Sequence, residues 1–142
     1  MLSHFGVGSR DLKRSEAFYD AVLASLGLRQ RTVEPDGSAP SLCWVHPDRP
    51  LPRFYVYTPF NGDPATAGNG VMIAFIAPSI DAVDAAHKAG LEHGGSDAGA
   101  PGLRPHYAPD YYGAYLIDPD ENKIHIVHRE ELVRELEKTA RL

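Results

Sequence analysis

The spacing of apolar positions along the chain changes period several times, and the changes occur in the same order in both halves. Residues 3–9 alternate weakly, with His4, Gly6 and Gly8 set against Phe5, Val7 and Ser9. This predicts a short strand that backbone or ligand can approach closely. Phe18, Val22 and Leu26 then recur at i, i+4 and i+8 behind a candidate N-cap at Asp11, with Gly27 as a stop, which predicts a helix over residues 11–26. Three strands follow at 29–33, 41–46 and 53–58, separated by turn-forming clusters at 34–40 and 46–52. A stretch rich in Gly, Pro, Asn and Asp at 59–70 reads as a linker.

The order then restarts. An apolar strand at 71–77 leads to a helix capped by Ser79 over 80–89 and stopped at Gly90, a short strand over 91–96 and a long loop. A hairpin pairs 113–117 with 123–128 around Asp118-Pro119-Asp120-Glu121-Asn122, where Glu121 places a non-glycine residue at a position suited to positive φ. Residues 130–141 carry an amphipathic helical pattern with Leu132 and Leu136 on one stripe. Sliding the chain on itself by 68 residues superimposes the two halves, placing His4 on Met72, Val7 on Phe75 and Tyr57 on His125. Coincident element order at one period is the signature of a duplicated module.

Composition narrows the picture by exclusion. The 142 residues, 43% hydrophobic and 23% charged, suffice for one core and are too few for two independent domains. A net charge of −5, with no run of Lys or Arg, lacks the electrostatic footprint of a nucleic-acid or membrane-surface binder. The longest apolar stretch is far shorter than a membrane span, and the N-terminus lacks the charged-then-apolar order of a secretory leader, so the expected location is cytoplasmic. Cys43, the only cysteine, excludes an internal disulfide and reads as a buried apolar residue.

Several segments together resemble a known superfamily. They are Asp11-Leu12 with Ser15-Glu16-Ala17-Phe18-Tyr19, Leu26-Gly27-Leu28, the run from Gly99 to Tyr107, and Tyr111-Tyr112-Gly113-Ala114 leading into Asp118-Pro119-Asp120 and Asn122-Lys123-Ile124. The chain resembles the vicinal oxygen chelate proteins (glyoxalase I, bleomycin- and fosfomycin-resistance proteins, extradiol dioxygenases), and within them a bacterial glyoxalase-like subgroup, over nearly all of residues 3–128. The resemblance implies an α+β fold of two βαβββ modules forming an open, cup-shaped half barrel. A single domain over 1–128 would hold modules at 1–60 and 70–128, with a C-terminal helix over 129–142. It also implies a homodimer.

In such proteins the first and last strands of each module hold a divalent metal, here Zn, Ni, Mn or Fe. Carried over by position, the ligand places are His4, a residue near Tyr57, Met72 and His125. The metal ligands proper would be His4 and His125. Relatives usually carry His at the place of Met72, a carboxylate or Gln near Tyr57, and Glu at the place of His125. A thioether is a poor ligand for hard divalent ions, and a catalytic site needs about three N or O donors.

Two readings therefore stand side by side. In one, the chain is a metal-dependent lyase, isomerase or dioxygenase with a reduced ligand set, and His125 doubles as a base; the missing glutamate argues against glyoxalase I activity itself. In the other, it is a metal-free small-molecule binding protein of the antibiotic-sequestering kind. Its substrate-binding residues would be Tyr57, Met72, Trp44, Arg104, Tyr107 and Tyr112, with Arg104 offering a fork for a carboxylate or phosphate. Most of these residues also have a plain structural reading: Met72 as packing, Arg104 as pairing with Asp110 or Asp118 or capping carbonyls, the tyrosines as a cover for the sheet, and His87 and His93 as solvent-facing residues. Asp118 and Asp120 are explained by turn chemistry alone.

Overall fold

The computed structural model of the chain describes residues 1–140. Its elements are β1 (His4–Gly8), α1 (Leu12–Ala24), β2 (Arg29–Arg31), β3 (Ser41–His46), β4 (Arg49–Tyr57), β5 (Met72–Ile76), α2 (Ile80–Glu92), β6 (Ser96–Leu103), β7 (Tyr112–Ile117), β8 (Lys123–His128) and α3 (Glu130–Ala140). The strands form two four-stranded sheets of matching order, β1-β4-β3-β2 and β5-β8-β7-β6. The class is the expected one: α+β, two βαβββ modules, and sheets that stay open instead of closing into a barrel. The last two residues of the expected C-terminal segment lie outside the described residues. Among the described residues no helix is long and apolar enough to cross a membrane.

Three elements depart from the sequence pattern. β4 begins at Arg49, inside the expected turn; Pro50 and Pro52 are tolerated there because β1 pairs with β4 only from Arg53 onward, so no β1 acceptor is left waiting for an N–H. α2 runs through Gly90 to Glu92, and the chain reverses at Gly94 with φ +93°, so helix and turn take the place of the short strand expected over 91–96. Gly90 is there for space: a Cβ would meet Leu116 Cδ1 at 2.5 Å and Phe18 Cε2 at 3.2 Å, where α2 lies against both its own sheet and α1. The third departure is β6, which occupies half of the expected lid loop as an edge strand with two register shifts against β7. Its glycines, alanines and proline carry no alternating pattern to announce a strand.

α1 starts where Asp11 accepts the Arg14 amide and ends before Gly27, at φ +86°; α2 is capped by Ser79 in the same way. Both helices and the helix-facing sides of both sheets share one core. Phe18, Tyr19, Trp44, Phe54, Leu116 and Ile126 are all essentially inaccessible there. Phe54 meets Phe75 of the other module edge-on at 5.3 Å. Fully burying each such side chain contributes about 1.5–3 kcal/mol.

A polar clamp completes this joint. The β7–β8 turn buries Asp118 and Asp120 against the first module. Asp120 Oδ1 accepts the Arg10 amide at 2.9 Å, Arg10 Nε at 3.1 Å and Arg14 Nη2 at 2.9 Å, while Oδ2 accepts the Ser15 hydroxyl at 3.1 Å. Asp118 accepts the Tyr19 hydroxyl at 2.6 Å, the amides of Asp120 and Asn122 at 2.8 Å each, and Asn122 Nδ2 at 2.9 Å. Turn chemistry accounts for the Asp118 bonds within the turn but not for the bonds to α1. Burial raises both carboxyls. In Asp120 the bonds from Arg10, Ser9 and Ser15 outweigh it and hold the group below the ordinary 3.8. In Asp118 burial prevails over Tyr19 and Asn122 and holds the group above that value.

Asp120→Ala is expected to lower the unfolding free energy by about 3 kcal/mol in urea denaturation, because the Arg10 amide and the Ser15 hydroxyl lose a buried acceptor. The two carboxylates carry opposite pH signatures. Asp120 adds stability that is present above pH 3.8 and lost as the pH falls through its lowered value. Asp118 adds stability that is present below pH 3.8 and lost as the pH rises through its raised value. The cost of Asp120→Asn should therefore shrink in acid while that of Asp118→Asn grows, measured as denaturation midpoints from neutral to acid pH. Glu121 sits beside them at φ 72°, the one non-glycine residue with positive φ among those described. Glu121→Gly is expected to stabilise the protein by about 1 kcal/mol, raising Tm by roughly 2–4 °C in calorimetry.

Candidate functional site

Strand parity sorts the candidate residues before any contact is considered. In β8, Ile124 and Ile126 enter the core, so His125 lies on the opposite face, the side turned away from the helices. The same rule puts His4 on the corresponding face of β1, with Phe5 and Val7 toward the core. Cross-strand register then identifies the neighbours: His4 lies opposite Arg53 and Gly6 opposite Tyr55, whereas Met72 lies opposite Lys123 and Ala74 opposite His125.

This register moves one expected position. The offset between modules is 68 for the first strands but 70 for the last, so the counterpart of His125 is Tyr55. Tyr57 pairs with Gly8, four residues along from His4, or about 13 Å of strand. Tyr55, not Tyr57, makes the edge-on ring contact with His4, at 5.7 Å. Tyr57 is 39% exposed.

His125 is the centre of the built part of the site. It is 1% exposed, and its imidazole lies 4.1 Å from the Tyr115 ring and nearly parallel to it. Gly113, opposite Val127 on the neighbouring strand, makes room for it: a Cβ there would meet His125 Cε1 at 2.8 Å. Nδ1 stands 2.8 Å from the Ala114 carbonyl, which can only accept, so the hydrogen-bond partners assign the proton to Nδ1. Nε2 then accepts the Tyr111 hydroxyl at 2.6 Å. Burial pushes the His125 pKa below 6.5, with Arg104 and Lys123 adding to the effect against the bond to Ala114, so the ring is neutral at neutral pH. Burial pushes Tyr115 up to about 12, with its hydrogen bond to Tyr107 adding to the effect. Tyr111 is raised as well, again chiefly by burial. Neither phenol ionises in the physiological range.

Two cations border this aromatic floor, with Lys123 Nζ 4.9 Å and the Arg104 guanidinium 5.4 Å from the centre of the Tyr115 ring. Arg104 also donates to the carbonyls of Gly102, Gly113 and Ala100 at 2.6–3.0 Å, which locks the loop and takes up the fork expected to hold an anion. Tyr107 is exposed, and its ring lies 5.0 Å from that of Tyr111, tilted 57° to it.

The remaining expected residues lie elsewhere. Trp44 is buried on the helix side, donating its indole N–H to Asp20 at 2.9 Å. Tyr112 is also on the helix side and donates to Asp84 at 2.6 Å. His4 is exposed, with Ser3 Oγ 3.0 Å from Nδ1. Met72 is 44% exposed and lines a cavity of about 570 Å³ at the seam between modules, a cavity that touches neither His4 nor His125. His87 is buried and pairs with Asp97 at 2.9 Å, contrary to its expected solvent-facing place, whereas His93 is exposed. Sequence reasoning passes over Tyr115 altogether, and it reaches Tyr111 and Lys123 only as parts of motifs, Tyr111 as an aromatic of the expected lid loop, with no contact to His125 implied. A hairpin centred on residues 118–122 does place 115 opposite 125, so Tyr115 was within reach of strand arithmetic; Tyr111, in a reversing loop, was not.

The donors present do not fit a divalent metal. Of the four ligand places, one is a thioether, one a phenol, and one an imidazole whose lone pair is already held by Tyr111. Arg53 and Lys123 stand directly opposite His4 and Met72, adding positive charge beside the ion's place. Among the described residues no group of three His, Cys, Asp or Glu is arranged to hold a metal.

Comparison with known proteins places this geometry in a family. Residues 1–126 match the family described as the Glyoxalase/Bleomycin resistance protein/Dioxygenase superfamily. A glyoxalase/bleomycin resistance protein from Albidiferax ferrireducens T118 is 41% identical, with 91% of this chain and 99% of that one covered and a TM-score of 0.79. A glyoxalase I mutant from Zea mays shares the fold at 23% identity and a TM-score of 0.63, covering 94% of this chain and 47% of that one. A search of curated proteins finds no match. The family match, which spans most of the sequence, and the 41% identical structure together establish that the chain belongs to the glyoxalase/bleomycin resistance protein/dioxygenase superfamily.

Proposed function

We propose that this protein binds a planar small molecule on the outward faces of its sheets without a metal, and that it works as a cytoplasmic homodimer in which a second copy closes the site. The observation that carries the metal-free reading is the commitment of both His125 nitrogens, Nδ1 to the Ala114 carbonyl and Nε2 to the Tyr111 hydroxyl. A neutral imidazole held in this way, flanked by Tyr111 and Tyr115, is a rigid aromatic floor. Its hydrogen bonds are formed before a ligand arrives, so little ordering entropy is lost on binding. Lys123 and Arg53 give the same face a positive edge, which favours ligands with an anionic or acceptor group beside a flat ring.

Closure by a second copy is supported by what one chain leaves open. The helix sides of both sheets share the core, so His4, Tyr55 and the aromatic floor lie on the opposite sides. Tyr57 and Tyr107 remain exposed on these sides, and large aromatic side chains left uncovered beside a site mark an association surface. The metal-dependent alternative of the same family needs three N or O donors, which the ligand places of this chain do not supply.

The test is equilibrium dialysis of tag-free protein against micromolar Zn, Ni, Mn and Fe(II), followed by elemental analysis, on the wild type and His4→Ala. The expected result is well below one equivalent of any metal in both proteins. One equivalent in the wild type that disappears in His4→Ala contradicts the proposal and restores the Lewis-acid reading.

A further inference from the structure

The seam between the modules holds a cavity of about 570 Å³, within the range of small-molecule sites. Its walls come from the segment after α1, the start of β1, the whole of β5, the β3–β4 hairpin with the following part of β4, and Leu136 of α3. Every lining side chain is apolar except two, His46 and Arg49. These two are cross-strand partners at the hairpin tip, so they project on the same side of it.

Both are donors. His46 Nδ1 accepts the Asp48 amide at 3.1 Å, which assigns the ring proton to Nε2. Arg49 Nη2 donates to the Leu136 carbonyl, and Arg49 Nε is shut away from water with no hydrogen-bond partner among the described residues. No carboxylate among the described residues pairs with this guanidinium. A guanidinium beside an apolar cavity, without an anion, lacks the partner that normally offsets its desolvation.

We propose that the seam cavity is a second ligand site, distinct from the His125 floor although Met72 and Ala74 of the outward face of β5 line it, and that it takes an apolar monocarboxylate whose chain or ring fills the cavity while its head group meets Arg49 and His46. The apolar walls supply most of the affinity, and the two donors select the charge. Leu136 and its carbonyl, at the rim, make α3 the element that a bound head group would shift. No metal and no residue of the His125 floor takes part.

The probe is dodecanoate at submicellar concentration, titrated calorimetrically against dodecanol. The wild type is expected to bind one equivalent of dodecanoate at least about tenfold more tightly than dodecanol, as for a charge-assisted bond in an apolar site. Arg49→Met should bring dodecanoate down to the level of dodecanol while leaving dodecanol unchanged, which also shows that the cavity has survived the substitution. Arg49→Lys should keep much of the preference, and Lys123→Met should leave both affinities unchanged. The proposal is overturned by equal binding of acid and alcohol in the wild type, by binding of neither, or by loss of dodecanoate binding in Lys123→Met, which would move the ligand to the outward face. It is also overturned if dodecanoate affinity falls as rising protein concentration drives dimerisation, because a second copy would then be the occupant of the cavity.

Discussion

Two carboxylates, Asp118 and Asp120, hold the molecule's two halves in one arrangement. Neither could be buried alone; an unpaired ion in that place would cost several kcal/mol. Each is matched by donors from the first module: Tyr19 for Asp118, and Arg10, Arg14 and Ser15 for Asp120. The β7–β8 turn therefore docks against the start of α1 and nowhere else. With the turn in place, α1 and α2 meet across Gly90, and Phe54 reaches Phe75. Two modules, each too small for a stable core of its own, become one cooperative unit.

That joint decides what is left for function. Because the helix sides of both sheets are spent on the common core, the opposite sides lie outside it. On the second module that side is already organised: β8 presents His125, β7 presents Tyr115, and the loop before β7 brings the Tyr111 hydroxyl onto Nε2. Arg104, tied to three carbonyls, fixes the loop and raises the local positive charge. Hydrogen bonds and stacked rings organise this face, and Arg53 and Lys123 stand opposite His4 and Met72.

Much of the fold was legible in the chain, for identifiable reasons. The helix caps at Asp11 and Ser79 and the hairpin around Asp118–Asn122 follow from local chemistry. The duplication followed from element order. β6 was illegible because its alanines and glycines carry no period, and it is ordered by pairing with β7. The candidate site was less legible. Aromatic character points to Trp44 and Tyr112, whereas strand position rules: Trp44 lies opposite Phe54, a core residue, and Tyr112 alternates with Gly113 onto the helix side. The repeat offset locates the counterparts of β1 but misses by two residues in the last strands, where it points to Tyr57 and the register to Tyr55. Asp118 and Asp120 satisfied a local rule so well that their long-range role stayed hidden.

The central claim is that a phenol, not a metal, holds the His125 lone pair. It is tested most directly by nitrogen NMR of ¹⁵N-histidine-labelled protein at neutral pH, before and after addition of excess Zn²⁺. The account predicts a neutral ring protonated on Nδ1, with an Nε2 resonance shifted by a hydrogen bond and unmoved by zinc. A zinc-dependent shift of Nε2 to a metal-coordinated value, with Tyr111 released, would contradict it.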